Sequence, residues 1–241
     1  SDPNIKTYGH GMFESVYDYP YLSSSANHIF DITVGLANGA ASSGSSTTQN
    51  SKKANIYNQM AQYLVGYDQT GSIKKFTMPS GSSTMDSCYF VPFARLLTKD
   101  EVKKGSFTLE LSVSGTTTFV EDGSIFSDRV KLTDTSGSDG YYVDSPAGEY
   151  GVLFASTSAG SVALLNTETL GNAATNPPVG LVYYQAGIAA VSASIFNEAS
   201  AGGALDSTEF VNNPKIVDLG DATTLGFDAA VILPTFLATL A

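Results

Sequence analysis

The run VGLVYYQAGIAAVSASIF, from Val179 to Phe196, is the stretch that decides the fold class of this chain. It is long, apolar and rich in β-branched and aromatic residues, which favour strands. Gly187 lies inside it, and a glycine within a strand pattern marks a bulge or a bend. The run therefore predicts two successive strands that separate at Gly187.

The rest of the chain repeats this strand character in shorter pieces. In SFTLELSVSG (residues 106–115), apolar residues alternate with polar ones, which is typical of a strand with one face in water. Turns of Gly, Ser and Asp separate these pieces, so we expect a mainly β chain built as an antiparallel β-sandwich or as barrel-like sheets. Further strands are predicted in NHIFDITVGLA (27–37), SCYFVPFARLL (87–97), DRVKLTDT (128–135), YGVLFAST (150–157) and SVALLN (161–166).

One segment, ANIYNQMAQYLVGYDQTGSIKKF (residues 54–76), follows a helical period instead. It predicts one amphipathic α-helix near residues 51–65, with Asn50 or Ser51 as N-cap and an end at Gly66. We expect its apolar stripe to pack on the chain's own sheet, whereas Ile56 and Tyr63 lie off the stripe and are free to meet a neighbour. The stripe consists of Ala54, Tyr57, Met60, Ala61 and Leu64. A capping box, Thr98 to Glu101, predicts a further short helical turn that ends at Gly105.

Charge is distributed unevenly over the 241 residues, whose formal net charge is −11. Residues 1–131 carry 11 basic and 12 acidic residues, and residues 132–241 carry one basic and 11 acidic. We expect a β-rich domain at 1–131 that carries the helix, and an acidic β-rich region at 132–241 that is either separate or part of the same domain. Scattered lysine pairs on an acidic chain predict no nucleic-acid partner, and the lack of any run of about 18 apolar residues predicts no membrane partner.

Catalytic, cofactor and metal signatures are missing from the sequence, so we expect no enzyme activity, no cofactor, no metal and no small-molecule substrate. The single cysteine, Cys88, is interpreted as a small buried residue, with a reactive thiol as the alternative. Two further alternatives stay open. Carboxylate pairs such as Glu121 with Asp122, or Asp134 with Asp139, are what a sugar hydrolase needs. The stretch around Asp134, Asp139 and Asp144 offers oxygens for Ca²⁺, although ordinary β-turns use the same residues.

Aromatic residues give a different indication of function. The chain has 13 Tyr, 13 Phe and no Trp. Tyrosine is enriched at protein interfaces, and it also forms platforms for sugars, although the absence of Trp disfavours a carbohydrate-binding module. We predict an interface formed by Tyr17, Tyr19, Tyr21, Ile56, Tyr63, Tyr141 and Tyr183.

Several phrases of the chain, in order, resemble virion structural proteins of tailed phages, particularly T4-like marine phages and cyanophages. They are YGHGMFESVYDYPYLSSSANHIFDITVG (8–35), ANIYNQMAQYLVGYDQTGSIKKF (54–76), FVPFARLLTKDEVKKGSF (90–107), SPAGEYGVLFAS (145–156) and the run at 179–196. The resemblance implies a non-enzymatic subunit of the tail, baseplate or neck, located in the virion, with other virion proteins and further copies of itself as partners. It carries no active-site residue over to this chain. The alternative is a receptor- or glycan-binding module of a fibre or adhesin.

Overall fold

The computed structural model describes residues 3–9, 13–37, 47–79, 84–93, 101–112, 129–157, 178–193 and 236–237. Within them the chain forms one helix, α1 (Thr47–Leu64), and eleven strands. The strands are β1 (Ile5–Thr7), β2 (Phe13–Tyr17), β3 (His28–Leu36), β4 (Ser87–Pro92), β5 (Thr108–Ser112), β6 (Arg129–Thr133), β7 (Tyr142–Ser145), β8 (Gly148–Thr157), β9 (Pro178–Tyr183), β10 (Ile188–Ser192) and β11 (Phe236–Leu237).

The strands form a single antiparallel sheet in the order β1-β2-β3-β4-β10-β9-β8-β6-β5-β11, with β7 attached to the side of β8. This confirms the prediction of a mainly β, antiparallel chain with one helix. The apolar run divides as predicted, because Gly187 adopts a positive φ of 62° in the connection between β9 and β10. The sheet also continues across the proposed domain boundary, since β6 spans residues 131 and 132 and lies between β5 and β8.

The inner face of the sheet is buried because the sheet curves back over it. Its buried apolar residues come from β2 to β6, from β8 to β10 and from positions next to these strands, and they form one continuous core. Phe93, at the end of β4, and Phe107, before β5, have ring centroids 5.1 Å apart. β4 and β5 are five places apart in the sheet, a separation of about 24 Å if the sheet were flat. The sheet therefore curls around this inner face, but it is not closed into a barrel.

The helix covers part of the opposite, outer face. Tyr57, Ala61 and Leu64 are buried there against a second core that includes Phe76 and Phe90. Gly35 of β3 makes the close approach possible, because a Cβ at this position would lie 2.9 Å from the Tyr57 Cα. The predicted packing of the stripe on the chain's own sheet is confirmed. Gly66 has a φ of 85° and ends the helix as predicted.

Three details differ from the sequence predictions. The helix begins at Thr47 rather than at Asn50 or Ser51, because Thr47, Thr48 and Gln49 include no glycine or proline and the first turn extends through them. The segment from Glu101 to Gly105 contains turns instead of helix, while Thr98 lies outside the described residues. The short strands β1, β2, β7 and β11 were not predicted, and SVALLN lies outside the described residues.

Candidate functional site

Large apolar side chains are exposed at three places on the described surface: around β2, at the end of α1 and on β7. Exposed side chains of this kind mark interaction sites when they cluster. The residues are Phe13, Tyr19, Tyr21 and Leu22 in the first place, Tyr63 and Tyr67 in the second, and Tyr141, Tyr142 and Val143 in the third.

The exposed rings around β2 result from the alternation of side chains along this strand. Phe13, Ser15 and Tyr17 point to one face, and they pair with Thr33, Asp31 and His28 of β3. Gly35 lies two residues beyond Thr33 on the same side of β3, and there it meets α1. The helix therefore covers this face at one end of β3, and the rings on β2 stay partly exposed beside it.

These rings form two groups, Tyr8 with Phe13 and Tyr17 with Tyr21 and His28, which hydrogen bonds of Ser15 and Asp31 link and which we together call the aromatic surface. The ring centroids of Tyr8 and Phe13 are 4.8 Å apart. The Tyr17 ring lies 5.5 Å from the His28 ring, edge to face, and 6.4 Å from the Tyr21 ring. At the margin, the Nζ atom of Lys6 lies 4.9 Å from the centre of the Tyr8 ring. The aromatic surface thus already holds a cation of its own chain.

A carboxylate occupies the middle of the aromatic surface. Ser15 Oγ donates a hydrogen bond of 2.6 Å to Asp31 Oδ1, and His28 Nε2 lies 2.7 Å from the same oxygen. The Tyr8 hydroxyl lies 3.3 Å from Ser15 Oγ. Ser15 is buried, whereas the Asp31 side chain is 37% exposed. Among the described residues, the hydrogen bonds to the Asp31 carboxylate all reach Oδ1.

This trio of serine, aspartate and histidine does not have the arrangement of a catalytic triad. In a triad the histidine lies between the serine and the aspartate, so that it can take the serine proton. Here Asp31 lies between Ser15 and His28 and accepts from both sides. The arrangement holds a carboxylate in a fixed position beside aromatic rings, which suits binding.

The exposed aromatic residues on and beside β7 make different contacts. The rings of Tyr142 and Tyr150 stack with centroids 5.4 Å apart, and the Tyr150 hydroxyl donates a 2.8 Å hydrogen bond to Asp144. Lys104 Nζ lies 4.9 Å from the centre of the Tyr141 ring and 2.6 Å from a Glu149 carboxylate oxygen. The charged groups on this side are therefore already paired within the chain.

Asp134, which the sequence offered as an acid or a calcium ligand, has a structural role. Its side chain is buried, with Oδ1 accepting from the Phe107 amide at 2.8 Å and Oδ2 from the Gly105 amide at 2.8 Å and the Tyr184 hydroxyl at 3.1 Å. Burial raises the pKa of Asp134 and outweighs these hydrogen bonds, which act in the opposite direction. Asp134 therefore fixes the chain before β5 to the turn after β6.

The other acidic candidates divide into exposed residues and residues outside the description. Asp139 and Asp144 are exposed, and Glu121 and Asp122 lie outside the described residues. Within the part of the chain that the structure describes, no three His, Cys, Asp or Glu side chains come together in a way that could hold a metal ion. In the same part, no helix is both long and apolar enough to cross a bilayer.

The predicted interface residues do not form one site. Tyr17 and Tyr21 belong to the aromatic surface, and Tyr19 is exposed in the turn between them. Tyr63 is exposed on α1, while Ile56 is half-buried and packs against the core under the helix. Tyr141 is exposed beside β7.

The prediction that Tyr183 lies at an interface is wrong, because only 1% of this residue is exposed. It lies on β9, whose two faces are both covered, with the Tyr150 ring 5.2 Å away. Sequence reasoning also missed Phe13, His28 and Asp31 of the candidate site. The alternation of Phe13, Ser15 and Tyr17 was the available signal for a strand with an aromatic face.

Comparison of the chain with protein-family models, with curated proteins and with solved structures finds no match.

Proposed function

We propose that this chain is a non-enzymatic structural subunit of a tailed-phage particle, in the tail, baseplate or neck, where it assembles with other virion proteins and with further copies of itself. The observation that carries the proposal is the aromatic surface. Its rings lie on a sheet face beside the region that α1 covers, and they stay partly exposed at Phe13 and Tyr21. Aromatic rings in such a position are typical of the centre of a protein interface, where they bury a large area at low cost in side-chain entropy.

The roles of the polar residues also support a structural function. Asp134 is used to fix two loops, and Asp31 accepts hydrogen bonds in an order that does not activate Ser15. Cys88 is buried, and burial raises the pKa of its thiol, so the reactive thiolate is disfavoured. Of these residues, sequence reasoning considered Asp134 as an acid and Cys88 as a reactive thiol, and the fold buries both of them.

The proposal is tested by measuring assembly. The purified chain is examined by size-exclusion chromatography with light scattering over a wide concentration range, and phage particles are examined by mass spectrometry and low-resolution imaging. We expect oligomers at high concentration and the chain within the particle. A chain that stays monomeric and is missing from particles would contradict the proposal.

Matched variants locate the contact. Tyr21→Ser removes an exposed ring from the aromatic surface, and Tyr67→Ser removes an exposed ring outside it. We expect the first variant to weaken incorporation into particles several-fold while the second leaves it unchanged. Equal effects from both variants would mean that the aromatic surface is not the contact.

A receptor- or glycan-binding module remains the second candidate, because Asp31 and His28 place hydrogen-bonding groups between the rings, as sugar sites do. A glycan array with the unsubstituted chain, with Tyr17→Ala and with Tyr141→Ala tests it. Binding to a defined glycan that is lost in one variant would favour this candidate over assembly.

A further inference from the structure

We infer that the aromatic surface binds an arginine side chain of a partner virion protein, with the guanidinium group on the Asp31 carboxylate and its flat face against a neighbouring ring. This inference deepens the proposed function and rests on it, because it names the chemistry of the partner at the same surface.

The first step in the argument is the state of Asp31. Oδ1 is occupied by Ser15 and His28, and among the described residues no hydrogen bond reaches Oδ2. The side chain is 37% exposed, so a donor from outside can reach it. A carboxylate that is held rigidly and keeps one oxygen for a partner binds a donor with little loss of side-chain entropy.

The second step is the choice of a cation. Aromatic faces attract cations, and Lys6 already makes such a contact with Tyr8 at the margin of this surface. The Asp31 carboxylate lies between the rings, and its negative charge attracts a cation as well. Arginine fits both features, because its planar group stacks on rings while its N–H groups donate to a carboxylate.

The third step concerns the source of the arginine. Among the described residues, the other charged groups near the surface are Lys6, Asp18 in the following turn, and Glu14, which points to the opposite side of β2. Hydrogen bonds from Asn27 lower the pKa of Asp18, so this second carboxylate carries a negative charge as well. These carboxylates attract a basic segment of a different virion protein, and we assign the arginine to such a segment.

The experiment uses two short peptides and the complete chain. The probe is acetyl-Gly-Arg-Gly-amide, and its control is the same peptide with citrulline, which keeps the shape of arginine and loses the charge. The aromatic ring signals of the protein are followed by NMR during titration. We expect saturable shifts of the Tyr17 and His28 signals with the arginine peptide, with a dissociation constant in the millimolar range, and binding at least fivefold weaker with citrulline.

Two protein variants identify the carboxylate. Asp31→Asn keeps the side-chain shape and removes the charge, and we expect it to weaken binding of the arginine peptide at least fivefold. Asp144→Asn is the matched control, because Asp144 is also an exposed carboxylate beside tyrosine rings but already accepts from Tyr150. We expect no change in this control.

Several results would overturn the inference: equal binding of both peptides, equal loss in both variants, or ring shifts caused by neutral sugars and not by arginine. The two peptides are compared on the unsubstituted chain, so this comparison tests the inference even if the Asp31→Asn variant fails to fold. Failure here is distinguishable from failure of the proposed function, because a chain that enters particles without binding arginine keeps its structural role and loses only this contact.

Discussion

The dipeptide Tyr-Tyr occurs twice at the sheet, once at β7 and once at β9, with opposite outcomes. Tyr141 and Tyr142 are exposed by 40% and 36%, whereas Tyr183 and Tyr184 are exposed by 1% and 0%. Neighbouring side chains along a strand point to opposite faces. Both faces are covered at the end of β9, in the middle of the sheet, whereas β7 is attached at the side of β8 and leaves both tyrosines accessible.

This comparison shows that the position of a tyrosine in the sheet determines whether the residue is buried or exposed. A buried tyrosine hydroxyl needs a hydrogen-bond partner, and Tyr184 finds one in Asp134. Tyr57, the large buried residue of α1, donates to the Met85 carbonyl at 2.8 Å and accepts from the Phe76 amide at 3.1 Å. Buried tyrosines of this kind stabilise the fold, whereas for the exposed ones we propose a role in assembly.

The largest effect is expected from breaking the buried pair. Tyr183→Ala removes a fully buried ring from the core under α1, so we expect the free energy of unfolding to fall by about 3–5 kcal/mol in urea titrations. Tyr142→Ala is the matched change in the exposed pair and should cost less than about 1 kcal/mol, since it loses one stacking contact. Equal losses would mean that the two pairs do not differ in burial.

Asp134→Asn tests the partner of Tyr184. The asparagine amide group places a donor against a backbone donor, so we expect a loss of about 1–3 kcal/mol at neutral pH. The pH dependence should also change. Because burial raises the pKa of Asp134 in the folded state, its favourable contribution is complete below the unfolded pKa of about 3.9 and is lost as pH rises through the folded pKa.

Unfolding is therefore measured at a series of pH values above about 4 in both proteins. We expect the stability of the variant to depend less on pH in this interval than that of the unsubstituted chain. An unchanged slope would show that Asp134 ionises equally easily in the folded and unfolded states.

Gly151→Ala tests the space that holds the Tyr184 hydroxyl. A Cβ at Gly151 of β8 would overlap this hydroxyl, so the ring must turn away from Asp134, and we expect a loss of about 1–2 kcal/mol. Gly9→Ala serves as the control, because a Cβ there has no described atom within 4 Å. Thermal unfolding of the two variants gives the comparison, and equal melting temperatures would contradict it.

The smallest effect is expected at the exposed pair. Tyr141→Ser removes a ring that touches the Lys104 ammonium at the surface, so the free energy of unfolding should change by less than about 0.5 kcal/mol. Chemical denaturation checks this value. A loss above about 1 kcal/mol would mean that the cation contact with Lys104 belongs to the core of the fold.

The sequence was sufficient for strands β3 to β6 and β8 to β10, for the helix and for the bend at Gly187, because these depend on local periodicity and on the special backbone of glycine. It was not sufficient to distinguish the buried Tyr183 from the exposed Tyr141, because the burial of a tyrosine depends on which strands lie on either side of its own strand. The group of Ser15, His28 and Asp31 was also beyond sequence reasoning. The pairing of β2 with β3 brings these residues together, and this pairing shifts register between Val16 and Tyr17.

The buried thiol of Cys88 makes the chain convenient for chemical labelling. Cys88 is the chain's single cysteine and is fully shielded, so maleimide reagents should leave the folded, unsubstituted protein unmodified. A cysteine introduced by Leu22→Cys, at a position that is 86% exposed beside the aromatic surface, would then be the preferred attachment point. A photo-crosslinker placed there tests the proposed structural role, because a protein that it captures can be identified by mass spectrometry.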